Sequence, residues 1–287
     1  MKLYISNYLS NSISILDYKD FKTEEILLDD GTYPHHFCIN KKQKLMYLPS
    51  SINGIMYILD LELKKIIDSM SIGGNLSQIG ISKGELYISN EDSNSIYIIN
   101  EHTLEPVGII SVGETPHGFD FNEKENKLYV PCKNSIYCID TLSKCIDREI
   151  KIDFKAWHIK VDTKKNEVYV STLDGSVIVL DGFNMKIKHT INQFLIPVEI
   201  CFNYSKSEVY IADLGHKKVV ILDYNNLEIK GEIKINGNPQ GLAISRNEEL
   251  LFVSDTQNNS IKVYNAINHM FINEIKTGKE PTTIICL

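Results

Sequence analysis

Short runs in which apolar and polar residues alternate fill this chain. Ile13 and Ile15, and again Ile96 and Ile98, sit one residue apart among more polar neighbours. That is the period of two of a strand with one buried face. No helical period of useful length occurs. The runs recur: KLYISNYLSNSISILD at 2–17 is matched by ELYISNEDSNSIYIIN at 85–100, EVYIADLGHKKVVILD at 208–223 and LLFVSDTQNNSIKVYN at 250–265. Weaker copies are LMYLPSSINGIMYILD at 45–60, KLYVPCKNSIYCID at 127–140 and EVYVSTLDGSVIVLD at 167–181. One aromatic sets the register: Tyr4, Tyr47, Tyr87, Tyr129, Tyr169, Tyr210 and Phe252 follow one another at intervals of 40 to 43 residues.

Each copy supplies four strand-like runs. Two flank a polar turn around the aromatic. A third follows, as at Glu24–Leu28, Ile66–Ser71 and Glu232–Ile235. A fourth precedes the next aromatic, as at Phe37–Ile39, Phe119–Phe121 and Leu242–Ile244. Asn53-Gly54, Lys83-Gly84, Asp174-Gly175 and Asn236-Gly237 punctuate them, as turn residues do. Four short strands about every 42 residues describe a propeller blade. The predicted fold is therefore all-β: a seven-bladed β-propeller of four-stranded antiparallel blades, forming a single domain over residues 1–287.

The chain starts on the aromatic-bearing second strand of a blade. It ends in Pro281–Leu287, which aligns with the first strand Pro239–Ile244. The C-terminal strand is thus predicted to pair with the N-terminal blade, which is built from 281–287 and 1–28. An open ring would leave strand edges unpaired and a blade face unburied.

Tyr4-Ile5-Ser6-Asn7 and Tyr87-Ile88-Ser89-Asn90, each followed by Ser-Ile-x-Ile-Leu/Ile-Asp/Asn, resemble the YVTN family of propeller repeats. So do the Gly-x-x-Pro lead-ins Gly113–Pro116 and Gly278–Pro281, and the shorter Gly237–Pro239. The resemblance spans essentially the whole chain. It implies the fold and leaves function open, since such folds carry many roles. The Trp-Asp and Gly-His marks of WD40 blades and the double glycine of kelch repeats do not recur from copy to copy.

Composition narrows the partners. The chain is 43% hydrophobic and 23% charged, with a net charge of −7, and has no basic block. A phosphate backbone needs a concentrated positive surface, so no nucleic-acid partner is expected. The N-terminal residues lack the unbroken apolar run of a secretory signal. No stretch reaches the length of a membrane span. A cytoplasmic, monomeric protein without membrane contact is expected. The six cysteines form no Cys-x-x-Cys pair. They read as small hydrophobes in a reducing compartment.

The propeller fold implied by the resemblance places two sets of loops on one face. The residues following each lead-in proline or its equivalent are His35-His36, Ser77-Gln78, His117-Gly118, Trp157-His158, Val198-Glu199, Gln240-Gly241 and Thr282-Thr283. Four of the eight histidines and the only tryptophan fall in this register. Imidazole and carboxylate are common metal ligands and general acid–base groups. His117, His158 and Glu199 come from consecutive blades and are the candidate catalytic and metal-binding residues. His36 is expected to face them across the opening. His35, His36, Gln78, Trp157 and Gln240 are candidate ligand contacts. The loops after the second strand add Asn7, Asn90, Asp213 and Asp255, of which the aspartates are also expected to cap their own turns.

Two functions follow from this face. One is a module binding a small molecule, a peptide or a protein around the central channel. The other is a metal-assisted lyase or hydrolase using a divalent ion. For the second, Pro116-His117-Gly118 resembles the Pro-His-Gly loops of the virginiamycin B lyase family, seven-bladed propellers that use histidine and a divalent metal. Phosphate-binding glycine loops and His-Glu-x-x-His are missing. The single Gly-x-Ser-x-Gly match, Gly80–Gly84, runs through a strand-like stretch into the Lys83-Gly84 turn with no helical pattern after it.

Overall fold

The computed structural model describes residues 1–287. It contains 28 β-strands and no helix, so no helix is long and apolar enough to cross a membrane. The strands form seven four-stranded antiparallel sheets, and the chain is a seven-bladed β-propeller. The first blade joins the C-terminal strand β28 (Pro281–Cys286) to β1 (Lys2–Asn7), β2 (Ser12–Asp17) and β3 (Lys22–Leu27). Leu3, Tyr4 and Ile5 pair with Cys286, Ile285 and Ile284, so the C-terminus completes the N-terminal blade as the repeat register predicts.

Contacts divide the chain into two units. One holds Met1–His35 with Phe194–Leu287, the other His36–Gln193. The first contains three blades: the composite one, β20–β23 (197–234) and β24–β27 (239–276). The second contains four: β4–β7 (38–71), β8–β11 (76–111), β12–β15 (120–151) and β16–β19 (156–191).

The recurring letters of the repeat each have a job. The aromatic lies in the middle of a second strand, and six of the seven, Tyr47 through Phe252, are essentially inaccessible. A buried phenol needs a partner, and these reach into the following blade. Tyr129 Oη donates to the Gly182 carbonyl at 2.7 Å, while Tyr87 and Tyr210, whose hydroxyls also bond Glu85 and Glu208 on their own strands, lie 3.3 Å from the Thr141 and Ala266 carbonyls. Burial pushes these phenols well above their ordinary pKa, which keeps them neutral donors. The Asp or Asn that ends each third strand makes an Asx turn in every blade: Asp17, Asp60, Asn100, Asp140, Asp181, Asp223 and Asn265 all accept from the amide two residues on. The two-residue turn Lys83-Gly84 between β8 (Leu76–Ser82) and β9 (Glu85–Asn90) has positive φ at both positions, 51° and 79°. That twist suits a tight hairpin.

All six cysteines are free thiols. Burial pushes Cys132 up to about 12 and Cys138 up to about 11, so both are inert packing groups.

Candidate metal centre

The first strand of a blade carries a bulge just where the candidate residues lie. Its register shifts between Leu76 and Ile79, between Ala156 and His158, and between Pro239 and Leu242. The serine of the Tyr-Ile-Ser motif holds that bulge. Ser89, Ser171 and Ser254 accept from the backbone N–H of Gln78, His158 and Gly241. The same hydroxyls reach the next blade: Ser89 donates to the His117 carbonyl at 2.8 Å, and Ser254 donates to that of Thr282 at 3.0 Å. A bulge re-aims the side chain at its centre, and here the repeat serine fixes that aim in both blades at once.

Two first strands are shorter than the rest. β4 (Cys38–Asn40) and β12 (Asp120–Asn122) have three residues each, against six or seven in the others. These blades carry His36 and His117, both buried, at 5% and 7% exposure. Freed from its own ladder, the segment after Pro116 binds the neighbouring blade. Gly118 N–H donates to the Trp157 carbonyl, and Ile159 N–H donates to that of Gly118, both at 3.0 Å. This makes a parallel bridge between Gly118 and His158.

His36, His117 and His158 converge within the 36–193 unit. One ring nitrogen from each lies within 4.8 Å of the other two. Ring centroids are 5.0 Å apart for His117–His158, 5.2 Å for His36–His158 and 5.7 Å for His36–His117. Tetrahedral zinc with bonds near 2.1 Å needs nitrogens about 3.4 Å apart. The three nitrogens are thus spread somewhat wider than a closed tetrahedral set. Trp157 stacks on His117 with centroids 3.7 Å apart and planes 21° apart. The Nδ1 of His117 lies 2.5 Å from Glu91 Oε1, which leaves Nε2 as the atom for an ion. Imidazoles without a carboxylate in the first set suit zinc, copper, iron or nickel.

This geometry revises the expected trio. His36 joins His117 and His158 rather than facing them across an opening. Counting whole blades overlooks how far a ring reaches from a short first strand. Glu199 is not a member of the cluster. It lies on β20 (Pro197–Asn203) in the other unit, and its Oε1 accepts from the Ile200 amide. Gln78 belongs to the same unit as the imidazoles, and its Oε1 is buried without a hydrogen bond. His35 and Gln240 are brought together in the first unit, with Nε2 atoms 3.4 Å apart, and Tyr8 stands edge-on to the His35 ring.

The other four candidates are committed to the scaffold, each at most 2% exposed. Asn7 donates to Ser12 and Ser14, and Asn90 donates to the Gly73 carbonyl and accepts from Ser93 N–H. Asp213 accepts from the Ile196 and His216 amides and from His216 Nδ1 at 2.7 Å. Asp255 accepts from the Asn238 and Asn258 amides. The two aspartates cap their turns, and all four hydrogen-bond within the scaffold, although Asn7 Oδ1 is buried without a hydrogen bond.

Sequence reading missed Glu91. It occupies the position just after Asn7, Ser50, Asn90, Cys132, Thr172, Asp213 and Asp255 in their repeats. There the chain reads Tyr8, Ser51, Glu91, Lys133, Leu173, Leu214 and Thr256. The lone carboxylate in that register was the available signal.

No family model matches the chain, and no curated protein matches its sequence. Solved structures do. A protein from Lactobacillus plantarum superposes with a TM-score of 0.84 at 10% identity, covering 99% of both chains. Apo AztD from Citrobacter koseri gives 0.75 at 11%, covering 99% of this chain and 96% of that one. Dihydro-heme d1 dehydrogenase NirN, solved in complex with DHE, gives 0.75 at 13%, covering 99% of this chain and 74% of that one. At such identities the likeness establishes the propeller fold alone.

Proposed function

We propose that this chain is a ligand-binding propeller whose lead-in loops hold one divalent transition-metal ion through His36, His117 and His158. The observation that carries the reading is the convergence of three ring nitrogens within 4.8 Å, from three different blades. Two of these side chains are buried and the third is half-buried. Packing alone gives no reason to gather three imidazoles around one point. Trp157 forms an apolar wall beside them, and the Gln78 amide offers a polar contact on the same unit.

The number of ligands favours a second reading as well. A structural zinc is closed by four protein ligands, whereas a catalytic one takes three and keeps a position for water or substrate. Three imidazoles would leave that position open, as a metal-assisted lyase or hydrolase requires. Both readings share the same first experiment. Purified protein is equilibrated with Zn²⁺, dialysed, and its metal counted, and its melting temperature is taken with and without a chelator. One ion per chain and a lower Tm after chelation are expected, with uptake lost in His36→Ala and kept in Glu199→Ala. A protein that retains no ion and shows no shift rules the site out.

A further inference from the structure

We propose that Glu91 is the positioning residue of this metal site. It fixes which nitrogen of His117 faces the ion. The inference rests on the metal-binding reading above and adds a residue outside the three ligands.

Both oxygens of the Glu91 carboxylate are engaged. Oε1 lies 2.5 Å from His117 Nδ1, and Oε2 accepts from Asn75 Nδ2 at 3.1 Å. The backbone is held too, since Glu91 N–H donates to the Asn75 carbonyl at 2.9 Å. The pair is largely shielded, with 9% of the His117 side chain and 17% of the Glu91 side chain exposed. A carboxylate accepts only, so in the neutral ring Nδ1 carries the proton and Nε2 is the lone-pair donor. On the ring's face, Trp157 stacks at 3.7 Å. The imidazole is therefore fixed by its edge and by its face before any ion arrives. Carboxylate–histidine–metal relays orient the ligand and raise its basicity. The relay also places one negative charge beside an otherwise uncharged set of imidazoles, and so lowers the electrostatic cost of a dication.

The test uses the full chain with Co²⁺ and Zn²⁺ as probes. It reads Trp157 fluorescence, the visible Co²⁺ spectrum, and the melting temperature of metal-free protein. Glu91→Ala is expected to weaken Co²⁺ binding about 10- to 100-fold and to alter the Co²⁺ band, with the metal-free Tm nearly unchanged. Glu91→Gln keeps an acceptor for Nδ1–H but drops the charge. It is expected to restore the wild-type band and to bind more weakly by only about 3- to 10-fold. Wild-type affinity and spectrum in both variants overturn the inference. So does equal weakening in both, accompanied by a fall in metal-free Tm, which would mark a purely structural residue. If Glu91→Ala does not fold, Glu91→Gln decides by itself, and wild-type affinity there counts against the proposal. A wild-type protein that takes up neither ion overturns the metal site itself. Uptake that depends on His36 but ignores Glu91 overturns this inference alone.

Discussion

The imidazole of His158 lies against Gly118, so closely that a Cβ on the glycine would stand 2.7 Å from both Cδ2 and Cγ of the ring. Gly118 follows His117 directly, and its backbone bridges the His158 strand. One missing side chain thus lets two of the three imidazoles approach. Gly118→Ala must push the His158 ring aside. Zn²⁺ affinity is expected to fall by about 10-fold, on the scale of a misoriented ligand. Stability is expected to drop by about 1–3 kcal/mol, on the scale of overpacking. Isothermal titration and urea unfolding measure the two effects. An unchanged affinity would mean that His158 does not need this contact to ligate.

Much of the fold was legible because it repeats. Tyr129 and its counterparts mark second strands, and the closing Asp or Asn marks the turn to the fourth. Both are local demands on the backbone that every blade must meet. The histidine cluster is not local. His36 and His117 converge because β4 and β12 are cut to three residues, and neither strand length nor ring reach is written in a spacing. Glu199 occupied the right register, yet it hydrogen-bonds to the amide of the next residue. Glu91 escaped notice because it comes from the other loop set, where most positions serve packing. Asn7 and Asp213 stand at buried positions where polarity recurs, and such positions commonly serve hydrogen bonds inside the scaffold.

The phenol latches contribute to stability blade by blade. Tyr210 Oη donates to Glu208 Oε2 at 2.8 Å and also lies 3.3 Å from the Ala266 carbonyl of the following blade. Tyr210→Phe keeps the ring and removes only the hydroxyl, leaving buried acceptors behind. A loss of about 1–2 kcal/mol is expected, or a Tm lower by about 2–4 °C in a chain of this size. Equal stability of the two proteins would show that the inter-blade bond is not a net contributor.

The acid limb of stability should involve Glu274. Lys262 and then Lys276 hydrogen-bond to its carboxylate and pull it down to about 2, with Lys262 Nζ 3.0 Å from Oε2. A carboxyl depressed on folding stabilises the protein above its unfolded pKa. That contribution is lost as pH falls through the folded value. The window is therefore from about pH 4.5 down to about pH 2. The side chain is 32% exposed, and solvent screening reduces its contribution to about 1 kcal/mol. Glu274→Gln is expected to be less stable than wild type by that amount at pH 7, and equal to it at pH 2. Chemical unfolding across this range checks the slope. A gap that persists at pH 2 would assign the effect to packing rather than charge.

The composite blade makes the sharpest demand on the whole chain. Ile284 of β28 is 7% exposed and belongs to a core with Leu3, Ile5, Phe252, Ile261 and Val263. Thr282, 2% exposed, shares a hydrogen bond with Ser6, and its carbonyl accepts from Ser254. Deleting Thr282–Leu287 removes Ile284 from that core, a loss of about 1.5–3 kcal/mol for a single aliphatic side chain. It also leaves Ser6 and Ser254 without these partners and opens the β1 edge along Leu3, Tyr4 and Ile5. Each hydrogen bond lost in this way costs about 0.5–1.5 kcal/mol. The combined cost is comparable to the whole stability of an ordinary domain, about 5–15 kcal/mol. The truncated chain is expected to lose its cooperative transition in calorimetry and to aggregate through the exposed strand edge. Restoring the segment as a separate peptide should recover part of the transition, because the β1 edge can accept an added strand. A truncated protein that melts as sharply as the full chain would show that the C-terminal strand does not hold this blade together.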